Sequence, residues 1–282
     1  MLDTERIRNF YRNGFKEAPI HRMWPQLWNK HFRIESRVGY FIKLNKIPER
    51  LNFRSIKRLC GRYATPHLYM SVLNWLMPER VGEKSKARYA YPIGGEYVVD
   101  VDSDLFWKPH SHWVCREGVC VGCLSQARET TLNLLWKIEE NYSDVHVVFS
   151  GRRGFHIHVL DFNVRDWTHY NDRNPLKSHE VARFKYTKHL KGSCGGFDRH
   201  HFTLSSDVTR IITFPGSLNG ETGLICSYLG KREDFEKISI SDVLWDSKAV
   251  KFLYDLNWIK GSELHSHPEP GPLKPLVYSG AG

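Results

Sequence analysis

The pattern of apolar and polar positions changes character near residue 90. Before that point apolar residues recur with a helical period, most cleanly from Pro48 to Arg62. There Phe53, Ile56, Leu59, Cys60 and Tyr63 share one side, and Arg50, Arg54, Lys57, Arg58 and Arg62 share the other. Pro48 suits a first turn and Gly61 a helix end, so residues 1–90 are expected to be mainly helical. From Glu96 the period shortens to that of strands, with runs at Glu96–Val101, Val145–Ser150, Phe155–Leu160 and Thr209–Phe214. Between the first two, Leu124, Ala127, Thr131, Leu134, Leu135 and Ile138 mark a helix over about Leu124–Glu140. A second helix is expected from a Ser247 cap to about Trp258, with Ala249, Val250, Leu253 and Leu256 on one face. The pattern predicts an α+β fold, a mixed β-sheet with flanking helices, in three parts: 1–90, 91–260, and a Pro/Gly-rich linker or tail over 261–282.

The apolar share of 41%, with 13% aromatics and nine tryptophans, is enough for a large core and excludes a disordered chain. No run reaches the roughly 18 apolar residues of a membrane span, and Met1-Leu2-Asp3-Thr4-Glu5-Arg6 lacks a secretion signal, so a cytoplasmic, membrane-free protein is expected, nucleoid-associated in a prokaryote. The formal charge of +10 favours a polyanion, nucleic acid first. The basic side of the 48–62 helix has two readings, a solvated face or a contact to a nucleic-acid backbone.

Three motifs carry candidate chemistry. Asp100-Val101-Asp102 ends an apolar strand, so its two carboxylates project from one face and repel each other unless a cation lies between them. Hard oxygen donors there suit Mg²⁺ or Mn²⁺, although a strand-end aspartate also serves as a turn cap. Ser150-Gly151-Arg152-Arg153-Gly154-Phe155-His156 joins two strands and gathers a hydroxyl, two guanidiniums and an imidazole, a set suited to a triphosphate. His112, Cys115, Cys120 and Cys123, with His110 as the competing ligand, have the spacing of a closed, structural Zn²⁺ site.

Taken in order, these motifs resemble those of the catalytic small subunit of archaeal and eukaryotic DNA primases, the archaeo-eukaryotic primase superfamily, over about Tyr91 to Leu224. Val98-Val99-Asp100-Val101-Asp102 resembles the first catalytic motif, and Val148 to His156 is similar almost letter for letter to the second. Cys115, Cys120 and Cys123 fall at the zinc knuckle, and Phe214-Pro215-Gly216-Ser217-Leu218-Asn219-Gly220 resembles the stretch after a third catalytic aspartate. Asp198 is the expected third acid and Asp207 the fallback. The chain departs from the pattern at Thr213 and Asn219, where the family carries a basic residue and a histidine that contact phosphates. Pro66 to Ser71 only weakly resembles the family's Pro-Tyr-Ser segment, and its Arg-Glu-Phe motif has no clear counterpart.

The resemblance implies a catalytic core with an RRM-like half and a small zinc knuckle over 110–123. It also implies two divalent ions on Asp100, Asp102 and Asp198, and a nucleotide held by Ser150, Arg152, Arg153, His156, Ser217 and Asn219. The partners it implies are a single-stranded DNA template, NTPs or dNTPs, and a primase large subunit or a fused C-terminal domain. The implied activity is primer synthesis or extension. Two alternatives stand beside it: a repair or plasmid primase-polymerase acting mainly as a DNA polymerase, and a non-catalytic zinc-containing nucleic-acid-binding module, against which the intact Asp100-Val101-Asp102 argues.

Overall fold

The structure, a computed structural model, describes residues 3–36, 39–46, 51–81, 90–102, 119, 121–193 and 206–246. Along the described chain come helices α1 (Thr4–Asn9) and α2 (Ala18–Met23), then strands β1 (Lys30–Glu35) and β2 (Phe41–Lys43). Helix α3 (Phe53–Tyr63) precedes β3 (His67–Trp75), β4 (Pro92–Gly95) and β5 (Tyr97–Asp102). Helix α4 (Val121–Glu139), β6 (Val145–Phe149), β7 (Gly154–Val159) and α5 (Pro175–Ser193) follow. The last described elements are β8 (Ile211–Thr213), β9 (Tyr228–Gly230), α6 (Arg232–Lys237) and α7 (Ile240–Asp246).

Helix α3 starts later than its amphipathic pattern suggests because Asn52 caps it. The Asn52 side chain accepts from the Ser55 amide and the Ser55 hydroxyl accepts from the Asn52 amide, a reciprocal pair that fixes the first turn. It runs past Gly61 and closes at Ala64, in the left-handed region. Phe53, Ile56, Leu59 and Cys60 are buried as the periodicity requires.

The described strands form two sheets. The first has the order β2-β1-β3-β4, with β8 sharing the far edge of β3, and the second the order β5-β7-β6-β9. Every described pairing is antiparallel, which corrects the expectation of a mixed sheet. The reason is topological: β5, α4 and β6 form a crossover unit, but β7 folds back from its hairpin and fills the slot between β5 and β6. Within residues 1–90, expected to be mainly helical, three strands stand beside the helices.

One core lies between the first sheet and α1–α3, around Phe10, Phe15, Phe32, Met70 and Phe214. The other lies where α4, α5 and α7 cover the second sheet, around Leu134, Phe155, Ile157 and Tyr186. Glu96 joins them, standing between β4 and β5 where the chain leaves one sheet for the other. Its buried carboxylate accepts from Lys30 Nζ of β1 at 2.8 Å and pairs with His158 Nδ1 of β7 at 2.7 Å. Arg183 of α5 donates to its carbonyl. Burial raises the Glu96 pKa, but Lys30 and His158 outweigh it and bring it down to about 2. A charge this deeply buried is tolerated only when paired, so the trio holds the two sheets in one relation.

Candidate active site

Strand β5 delivers both carboxylates of Asp100-Val101-Asp102 to the same face, and its ladder with β7 sets Asp100 opposite His156 and Asp102 opposite Gly154. The acidic strand end and the hairpin named from the sequence are therefore neighbours. His156 Nε2 lies 3.6 Å from Asp100 Oδ1, and the Arg210 guanidinium, just before β8, donates to Asp100 Oδ2. His156 is buried, and burial pushes its pKa down to about 4 despite the opposing pull of Asp100, so the ring is neutral near pH 7. Its Nδ1 has no hydrogen-bond partner among the described residues.

The hairpin's two glycines act differently. Gly151 has φ +82°, the left-handed region, as its turn requires. Gly154 is needed for space, since a Cβ there would sit 1.9 Å from the Val101 carbonyl oxygen of β5. Ser150 closes the turn: its amide donates to the Gly154 carbonyl at 3.0 Å, and its hydroxyl accepts from the Gly154 amide at 3.3 Å. Arg152 and Arg153 are half-buried beside this turn.

A second loop, 214–226, seats the hairpin. Thr222 Oγ1 donates to the Gly151 carbonyl at 2.5 Å, and Arg152 is ion-paired with Glu221. Asn219 Oδ1 accepts from the Glu221 amide at 3.1 Å, and the buried Ser217 hydroxyl donates to the Phe214 carbonyl at 2.6 Å. Both side chains, expected to touch nucleotide, are engaged in shaping the loop. From Gly220 the loop reaches the first sheet, its amide lying 3.3 Å from His67 Nδ1. His67, Glu35 and Tyr69 form a further polar group there, with His67 4.0 Å from the Glu35 carboxylate. Burial, then Glu35, raises the Tyr69 pKa.

Asp207 lies on the turn before β8, where its carboxylate accepts from the Thr209 amide and hydroxyl, both at 2.8 Å. Asp198, His110, His112, Cys115 and Cys120 lie outside the described residues. Cys123 is buried in the first turn of α4. Sequence reasoning missed Arg210 and Glu35, and touched His67 and Tyr69 only through the weak resemblance of Pro66 to Ser71. Arg210 lies inside the Thr209–Phe214 run, and its contact with the distant Asp100 leaves no local signal in the sequence.

The donor set fits a divalent cation: two hard carboxylates on one face of a rigid strand, with Arg210 now supplying positive charge to Asp100. Among the described residues no three His, Cys, Asp or Glu side chains are gathered as a metal centre.

No family model matches the chain. A DNA primase small subunit of Pyrobaculum calidifontis is 29% identical over 261 residues, covering 82% of this chain and 78% of that protein. That of Saccharolobus solfataricus is 24% identical over 272 residues, covering 82% and 77%. Among solved structures, the polymerase domain of Mycobacterium tuberculosis ligase D in complex with DNA shares the fold, with a TM-score of 0.51 and 14% identity over 88% of this chain and 91% of that one.

Proposed function

We propose that this relative of the DNA primase small subunits is itself a primase-polymerase, a nucleotidyltransferase that makes or extends primers on single-stranded DNA. The observation that carries the reading is the meeting of Asp100 with His156 across the β5–β7 ladder, which unites an acidic strand end with an arginine-rich hairpin. Asp100 and Asp102 would hold Mg²⁺ or Mn²⁺, which when bound lowers the repulsion between an attacking 3′-hydroxyl and an α-phosphate. For the third acid the resemblance puts Asp198 first and Asp207 second; the Asp207 carboxylate is taken up by Thr209 and is not gathered with Asp100 and Asp102. Arg152, Arg153 and the Ser150 turn would orient the β- and γ-phosphates, a positioning and electrostatic task. Arg210 holds the Asp100 carboxylate in place, and neutral His156 presents a ring nitrogen without adding charge repulsion at the site. Base pairing would select the nucleotide, leaving the protein mainly backbone contacts. Zn²⁺ on His112, Cys115, Cys120 and Cys123 would serve structure alone, since four protein ligands leave no open position.

The decisive assay supplies labelled nucleotides on a single-stranded template, with and without a primer, in Mg²⁺ and in Mn²⁺. Asp100→Ala and Asp102→Ala should each lower product formation by roughly 10³-fold, ~4 kcal/mol of barrier, while the protein still folds. Full extension by either variant would remove the carboxylates from the reaction. A second reading, extension of primers with deoxynucleotides only, is favoured by Thr213 and by Asn219, which is engaged in its own loop. Product that forms only when a primer is supplied would select it.

A further inference from the structure

The open face of the first sheet carries an aromatic row that the proposed chemistry does not use. Phe41 is 54% exposed, with its ring centroid 6.0 Å from that of Tyr69. Tyr69 in turn lies 5.7 Å from His67, their planes 14° apart. The register puts these side chains on one face: Glu35 stands opposite both Phe41 and His67, and Arg33 stands opposite both Lys43 and Tyr69. Tyr40, at the tip of the same hairpin, is 73% exposed. Large rings left this open on a chain with two well-filled cores need a reason. At one end the row meets the cradle, through the contact of His67 with the Gly220 amide and the Glu221–Arg152 ion pair.

We propose that Phe41, with Tyr40 and the Tyr69–His67 pair behind it, is a stacking platform for unpaired bases of single-stranded nucleic acid leading to or from the cradle. The inference rests on the polymerase reading for its ligand. Rings set among the cations Arg33 and Lys43 suit bases and phosphates together, the usual composition of a single-strand track. The same interleaved charges, with Glu35 among them, break the patch and disfavour an apolar protein interface. Continuity with the cradle puts one end of the track at the hairpin.

The test measures binding of a single-stranded oligodeoxynucleotide, and of an abasic oligomer of equal length, by fluorescence anisotropy across a salt series. Phe41→Ala and the pair Tyr40→Ala/Phe41→Ala should weaken the normal oligomer by roughly tenfold or more. They should leave the abasic oligomer, the salt slope and template-free nucleotide binding unchanged, because no charge is removed. Phe41→Trp should restore affinity and Phe41→Leu should not. Unchanged affinity, equal loss on the abasic oligomer, or rescue by leucine would overturn the platform, the last because an aliphatic side chain cannot stack. A wild-type chain that binds through Phe41 yet makes no product would sink the polymerase reading and spare the platform. Normal synthesis with unaltered binding by the variants would do the reverse.

Discussion

Gly154 illustrates what a single residue contributes. In the sequence it reads as one of two glycines that loosen a hairpin, yet only Gly151 has the positive φ. Gly154 lies opposite Asp102, and its missing Cβ allows β7 to approach the backbone of β5. Gly154→Ala should therefore separate the two strands or displace the end of β5, costing about 2–4 kcal/mol in urea unfolding, in the range of severe backbone and packing substitutions. It should also move Asp100 away from His156. Wild-type stability would show that β5 yields at no cost. The two carboxylates were legible because strand side chains alternate; Arg210 was not, because a contact across 110 residues leaves no local pattern.

At the scale of elements, legibility followed periodicity. Helices α3 and α4 have buried faces that match their apolar spacing, and the hairpin strands fall within a residue or so of their apolar runs. Strand β1 was missed because Lys30 and His31 stand where apolar residues would mark a strand. They are buried because partners wait elsewhere: Glu96 for Lys30, and the Pro78 carbonyl for His31. Helix α4 carries a prediction of its own. Cys123, buried in its first turn, is the one proposed zinc ligand within the described residues. Cys123→Ser should lower bound zinc, measured by plasma mass spectrometry, and lower the melting temperature with it, because structural zinc contributes folding free energy. Full zinc content in that variant would remove Cys123 from the ligand set.

For the whole molecule, the buried histidines set the response to acid. Burial, reinforced by Arg33, lowers the His31 pKa to about 4, and burial with Arg183 does the same at His179. His31 is fixed as the neutral ring: its Nε2 accepts from Arg33 Nε at 3.0 Å, so Nδ1 carries the hydrogen toward Pro78. The unfolded chain binds these protons near pH 6.5 and the folded chain does not, so stability is complete above about 6.5 and declines as pH falls toward 4. Each group contributes at most ~3 kcal/mol to that decline. Glu96 acts in a lower window: its depressed pKa supports folding above about 4.5 and loses that support as pH falls toward 2. Urea unfolding at closely spaced pH values should therefore show stability beginning to drop between pH 6.5 and 5, before carboxylates titrate. His31→Gln should flatten part of that first drop and leave the lower one. A curve flat down to pH 5 would mean that these imidazoles take up protons in the folded chain.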